Sequence, residues 1–258
     1  MSRLRLTVLG SGTSMGVPSI GCECAVCRST DPHDKRTRPS ILLEFNDRAV
    51  VIDTSPDFRQ QALRAGLKRL DAVLLTHGHA DHILGLDDIR PLNLKQRGDI
   101  PIYASEETLK TVQRTFAYIF DDAPTHSTLP GVKLNTIAGD LDLFGLRIEP
   151  IAAMHGPMPV LGFRFGRAAY LTDFSSVPAE SKERLRGLDD FILDALRHKP
   201  HPMHSTVEQS LALVDELGPK RAWFTHIAHD LPHEATDAAL PAHARLSYDG
   251  LTFEVDYP

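Results

Sequence analysis

Four side chains able to bind a metal fall within six residues of Thr76-His77-Gly78-His79-Ala80-Asp81-His82, directly after the apolar run Ala72-Val73-Leu74-Leu75. No other stretch restricts the fold so strongly. A short buried strand must end in a loop whose polar groups turn to one place. His77 and His79 alternate, so an extended backbone puts both on one face. Gly78 and Ala80 keep the intervening positions small and let the loop turn tightly. Asp81 and His82 begin a new turn and can serve a second ion. Imidazole nitrogen suits zinc, iron and nickel, and carboxylate oxygen widens the range to manganese.

The rest of the chain repeats this arrangement of a strand that delivers a polar residue at its end. The pattern predicts strands over 4–9, 72–75, 132–137, 146–151, 162–165 and 168–171, and a hairpin of 41–45 with 49–52 turning at Asn46-Asp47. Helices are expected over 57–66, stopped by Gly66, and over 108–120. Then follow a helix from Pro178, a strand over 191–194, a helix from Ser205, a strand over 221–225 and a closing strand pair, 245–247 with 252–255. Strand ends place Asp53, His77, His155, Asp173, Asp194 and His226 in comparable positions. In layered α/β folds such ends converge while the sheet stays rigid, so these six are expected to meet at one edge of a sheet sandwich. Without linker, repeat or low-complexity tract, residues 1–258 read as one α/β domain, a length that suffices for one sizeable core.

Charge and cysteine usage narrow the function classes. The formal net charge of −6 argues against broad nucleic-acid binding, which needs basic surface. No apolar run reaches membrane-spanning length, and the N-terminus lacks a signal-peptide pattern, so a cytoplasmic protein is expected. The three cysteines, Cys22, Cys24 and Cys27, lie within six positions. In a reducing compartment that reads as metal binding rather than a disulfide framework. A structural zinc needs a fourth ligand, and His229, three residues after His226, is the candidate. Gly10, Gly12 and Gly16 follow the first strand, but their spacing departs from a dinucleotide fingerprint. They read instead as a tight loop at the metal site, with backbone N–H groups available to a phosphate. In the segment from His198 to Thr206, His204 sits where a helix begins and is placed to donate a proton to a leaving oxygen. His198 and His201 read as surface residues or substrate contacts. Asp194 can orient a nearby histidine or support a buried carboxylate.

The H-x-H-x-D-H pattern of residues 77–82 resembles the metallo-β-lactamase superfamily, whose members share a four-layered αβ/βα sandwich. The resemblance implies that His77, His79 and His155 hold one ion, that Asp81, His82 and His226 hold another, and that Asp173 bridges them. It gives Asp53 a supporting place behind the ligands. Gly10-Ser11-Gly12-Thr13-Ser14, Gly16-Val17-Pro18 and the cysteines resemble the PhnP-like branch, which contains phosphoribosyl 1,2-cyclic phosphate phosphodiesterase. That branch carries a zinc site of the Cys22, Cys24, Cys27 and His229 type. Residues 92–142 match it least. The implied protein is a metal-dependent phosphoric diester hydrolase with two Mn2+ or Zn2+ ions and one structural Zn2+. It would act on a small cyclic or sugar phosphodiester, with Asp81 orienting the nucleophile and His204 as general acid. Branch members are often dimeric, which makes a homodimer the expected assembly, while the charge and hydropathy above predict no nucleic-acid or membrane partner. Rival readings within the superfamily are RNase Z-like tRNA 3′ processing, thioester or lactone hydrolysis, and a PqqB-like role in cofactor biosynthesis.

Overall fold

The computed structural model describes residues 2–121 and 127–257. The first sheet is formed by β1 (Ser2–Gly10), β2 (Ser40–Phe45), β3 (Arg48–Ile52), β4 (Ala72–Leu74), β5 (Ile100–Ala104) and β6 (Val132–Thr136). The second contains β7 (Leu141–Leu143), β8 (Leu146–His155), β9 (Met158–Phe165), β10 (Ala168–Leu171), β11 (Asp190–Asp194), β12 (Arg221–Thr225) and β13 (Ala244–Leu246). The last strand, β14 (Thr252–Tyr257), returns to the first sheet and pairs antiparallel with β1. The strand orders are 14-1-2-3-4-5-6 and 13-12-11-10-9-8-7. Each sheet contains a parallel run, β3 to β6 in one and β10 to β13 in the other, while β8, which delivers His155, lies antiparallel to β7 and β9.

Period-2 alternation explains the layering. Along β2, Ile41, Leu43 and Phe45 face the space between the sheets, while Leu42 faces outwards. Along β10, Ala168 and Tyr170 face inwards and Ala169 and Leu171 outwards. Both faces of the central strands are therefore apolar, and each sheet is covered on its outer side by helices. On the first sheet Phe58, Ile83, Leu109 and Val112 pack from α1 (Phe58–Arg64), α2 (Ala80–Ile83) and α3 (Glu106–Thr115). On the second, Val207, Leu213 and Leu217 pack from α4 (Val207–Leu217). Three apolar interfaces between four layers make an αβ/βα sandwich.

The expected hairpin is present: β2 pairs with β3, and Asn46 and Asp47 both adopt positive φ, as a tight primed turn requires. Three expectations need correction. The closing strands do not pair with each other; β13 lies parallel to β12 in the second sheet and β14 lies on β1 in the first, since the loop between them crosses the sandwich edge. The helix expected over 108–120 is two pieces, α3 and a short turn over Ala117–Phe120, broken at Phe116, whose φ of −112° and ψ of 40° leave the helical region. Ser105 caps α3 by accepting from the Thr108 N–H, which sets its true start. Strand β9 begins four residues earlier than the pattern suggested, at Met158. Within residues 92–142, the stretch 122–126 lies outside the described residues.

Candidate active site

The ends of strands from both sheets meet on one edge. Asp53 follows β3, the His77–His82 segment follows β4, His155 ends β8, Asp173 follows β10, Asp194 ends β11 and His226 follows β12. Asp53, Asp173 and His226 adopt left-handed backbone conformations with φ of 65°, 53° and 58°. Non-glycine residues seldom do so, and the cost is about 1–3 kcal/mol each. The turn at each strand end aims the side chain back across the sheet edge. No sequence signal marked this strain.

The side chains form two sets that share one carboxylate. Ligand atoms of His77, His79, His155 and Asp173 lie within 4.8 Å of one another, and so do those of Asp81, His82, Asp173 and His226. Asp173 divides its oxygens between them. Oδ2 lies 3.9 Å from His77 Nε2, while Oδ1 lies 3.3 Å from His82 Nε2 and 3.2 Å from His226 Nε2. The second ring nitrogens of His82 and His155 are fixed from behind. His82 Nδ1 donates to Asp53 Oδ2 at 2.7 Å, and Asp53 is itself held by the Thr76 backbone N–H and hydroxyl at 2.8 Å each. His155 Nδ1 donates to the Met203 carbonyl at 2.7 Å. Such contacts fix tautomer and ring orientation so that Nε2 faces the site.

The donors fit divalent metal ions. His77 Nε2, Asp81 Oδ2, His82 Nε2 and His226 Nε2 are buried with no hydrogen-bond partner. A buried polar atom left unpaired costs about 1–3 kcal/mol, and four in one cluster ask for a cation. The electrostatics agree. Burial pushes Asp81 and Asp173 up, but His82 and His226 outweigh it and hold both carboxyls below their usual range. Burial pushes His82 and His226 down, and the surrounding carboxylates reverse it: His82 lies well above its ordinary value and His226 rises to about 9. His77 and His155, where burial dominates, are lowered. Burial raises Asp53 and Asp194, although His82 and His204 draw each of them back down. The surrounding carboxylates thus favour positive charge at this place, as a bound cation would supply it.

His204 borders this cluster. Its Nδ1 donates to Asp194 Oδ2 at 2.8 Å, and its ring stacks on His226 with centroids 4.6 Å apart and lies 4.6 Å from His155. The Nε2 atom is left for a substrate. His201 lies 5.0 Å from His204, ring to ring, and its Nδ1 accepts from the Met203 N–H. His198 is directed elsewhere, to Glu208 at 2.5 Å on the exposed start of α4. Thr76 and the Met203 carbonyl are the partners that sequence reasoning missed; Thr76 stood inside the motif but showed no donor geometry.

The cysteines gather at a second place. Ligand atoms of Cys22, Cys24, Cys27 and His229 lie within 4.8 Å, with His229 Nδ1 3.4 Å from Cys22 Sγ and 3.3 Å from Cys24 Sγ. Three sulfurs and one imidazole suit a closed tetrahedral zinc. The Cys27 backbone N–H and the His229 ring draw the Cys24 thiol down to about 6, while burial pushes Cys27 up to about 11. The glycine loop departs from expectation. Its backbone N–H groups at Ser11, Gly12, Thr13 and Gly16 donate to Asp249 Oδ1 and to the carbonyls of Thr37, Ile227 and Thr13. The loop is therefore tied to Thr37, Asp249 and the Ile227 turn, and those four donors are not free for a phosphate.

The description of the Beta-lactamase superfamily domain matches residues 48–227. The chain belongs to the beta-lactamase superfamily. Within the superfamily it belongs to the PhnP family: a solved structure described as a new diphosphatase from that family is 52% identical, with a TM-score of 0.93 over 98% of this chain and 97% of that one. A protein of Porphyromonas gingivalis named octanoyltransferase is 41% identical over 98% of this chain, which spans 52% of that relative's length. Ribonuclease Z of a Bradyrhizobium strain is 32% identical over 60% of this chain and 48% of its own. The chain thus spans about half the length of both curated relatives. Zinc-bound PqqB of Methylobacterium extorquens, 23% identical with a TM-score of 0.80 over 96% of this chain and 99% of its own, shares the fold. Among the described residues no helix is long and apolar enough to cross a membrane.

Proposed function

We propose that the chain hydrolyses a small phosphodiester, cyclic or carried on a sugar in the manner of phosphoribosyl 1,2-cyclic phosphate, with two divalent metal ions in the site. Mn2+ or Zn2+ would be held by His77, His79 and His155 on one side and by Asp81, His82 and His226 on the other, with Asp173 shared. The observation that carries this reading is the split of the Asp173 oxygens between the two sets. Such ions supply Lewis acidity to phosphoryl oxygens and an activated water nucleophile. Asp81, whose Oδ2 is buried without a partner, accepts from and aligns that nucleophile. His204 Nε2 donates a proton to the leaving oxygen, and Asp194 at Nδ1 keeps the ring in the donating orientation. A structural Zn2+ at Cys22, Cys24, Cys27 and His229, a homodimer and a cytoplasmic setting complete the reading.

The phosphoryl chemistry is supported by the diphosphatase description of the 52% identical structure. The octanoyltransferase name belongs to a protein about twice as long, and the acyl chemistry it implies enters as a competitor. The test is a parallel hydrolysis assay of Mn2+-loaded and Zn2+-loaded protein on bis-p-nitrophenyl phosphate, a ribose 1,2-cyclic phosphate, a sugar diphosphate and an octanoyl thioester. Turnover of the cyclic phosphate above the simple diester, with the thioester inert, is expected. Thioester turnover without phosphate ester turnover would overturn the proposal. Preference for the diphosphate would retain the phosphoryl mechanism and replace the substrate. Binding of tRNA at low salt would instead favour the RNase Z-like reading.

A further inference from the structure

We infer that the flared end of the inter-sheet space beside His77 and His79 binds an uncharged hydrocarbon group carried by the substrate. The inference rests on the phosphodiester reading and narrows it. A cavity of ≈ 650 Å³ opens there, with His77 and His79 in one wall, a size within the range of about 300–1,000 Å³ typical of small-molecule sites. It is therefore continuous with the cluster that would do the chemistry.

The walls come from the alternation that builds the core. Leu146 and Ile148 of β8, and Phe163 and Phe165 of β9, fill the space between the sheets. The same face continues along both strands to Ala152, paired with Leu161, and on towards Pro159. Here the apolar pattern goes on although the core does not: Ala152 and Pro159 are exposed, and Leu161 is half-buried. Apolar side chains left exposed or half-buried on an inward face among the described residues, next to metal-competent histidines, make a ligand wall.

The opposite wall is the start of α3, with hydroxyls that at first sight suit a base or a sugar. Those hydroxyls are already engaged. Ser105 Oγ donates to Thr108 Oγ1 and accepts from the Thr108 N–H, and Thr111 Oγ1 donates to the Glu107 carbonyl. Thr111 also packs towards Gly78, where an added Cβ would stand 3.0 Å from it. The charged residue in the lining beyond the histidines is Glu107, which repels a phosphate or a carboxylate. Arg114 also reaches Thr111 Oγ1 at 3.2 Å, so this wall carries both charge signs, and it is the run Ala152, Pro157, Met158, Pro159, Val160 and Leu161 on the other side that makes the cavity favour hydrocarbon.

The test uses full-length, metal-loaded protein and O-alkyl p-nitrophenyl phosphates with alkyl groups from methyl to octyl. Burial of each methylene predicts that kcat/KM rises about fourfold per carbon until the cavity is full. Ala152→Trp, which fills the cavity from an exposed strand position, should flatten that series so that the octyl-to-methyl ratio falls towards one. Pro159→Glu, which places a carboxylate there, should do the same if the tryptophan variant does not fold. The surface variant Leu94→Ala should keep the full series. A flat series in the wild-type protein, with the diesters turned over, would overturn the hydrocarbon site and leave the phosphodiester reading standing. If no diester is turned over, that reading fails, and calorimetric binding of octylphosphonate against methylphosphonate decides the cavity. Octyl preference lost in Ala152→Trp supports the site, and equal binding overturns it.

Discussion

The two clusters of metal-competent side chains lie close along the chain at one point, His226 and His229, yet they are built differently. The histidine–aspartate cluster draws its residues from strand ends of both sheets, is largely buried, and leaves nitrogen and oxygen atoms without partners. The cysteine cluster sits in loops, is partly exposed, and its sulfurs contact His229 Nδ1 and backbone N–H groups. In the first, rigid strands hold mismatched charges together, and three residues sit in left-handed conformations to do so. In the second, one short segment supplies the three cysteines and His229 reaches them from the loop after β12. Strain and unpaired atoms belong where a substrate and water must enter; a closed sulfur set belongs where chain segments are joined. The difference predicts that one cluster governs rate and the other governs stability.

The largest effect should come from the shared carboxylate. Asp173→Asn should reduce diester turnover roughly a thousandfold or more, because both ions lose a ligand; steady-state kinetics with metal analysis checks it. A variant that retains more than a tenth of the activity would break the two-ion half of the comparison.

His204→Ala comes next and depends on the substrate. With an alkoxide leaving group kcat should fall about 10²–10⁴-fold, the usual contribution of a positioned general acid. With bis-p-nitrophenyl phosphate, whose phenolate leaves without a proton, the loss should stay under about tenfold by the same principle. Equal losses on both substrates would show that His204 holds structure rather than a proton.

Asp53→Asn tests support from behind. Its carboxylate orients His82 and takes two donors from Thr76. Loss of such a partner typically weakens metal affinity about 10–100-fold, measurable by competition with a chelator. The smallest effect on rate and the clearest on stability should follow Cys24→Ser. One zinc equivalent should be lost and Tm should fall by roughly 5–10 °C, while kcat changes less than about threefold. A large loss of kcat without a change in Tm would erase the division of labour.

Much of this arrangement was legible in the sequence because it is local. His77, His79, Asp81 and His82 stand in one short segment after an apolar strand, and the cysteines stand in another. The residues brought to them from afar, His155, Asp173 and His226, were found by resemblance, since a single histidine after a strand carries no signal of its own. What the sequence concealed was tertiary. The split of the Asp173 oxygens, the Met203 carbonyl behind His155 and the engaged N–H groups of the Gly10–Gly16 loop depend on which segments meet. The closing strands were misjudged for the same reason: β13 and β14 are adjacent in the chain, but their apolar faces complete different sheets. The cavity at Ala152 and Leu161 looks like ordinary strand pattern until the point where the sheets diverge is known.

Phosphodiester hydrolysis by two ions sharing Asp173 is the proposal on which the division between the clusters rests. It is tested most directly by titrating metal-stripped protein with Mn2+ at the His/Asp cluster while diester turnover and the magnetic coupling of the bound ions are followed. The account predicts that turnover tracks occupancy of the second site, with a coupled-pair signal that disappears in Asp173→Asn. Full turnover at one equivalent without a coupled signal, or turnover that survives complete metal removal, would contradict it.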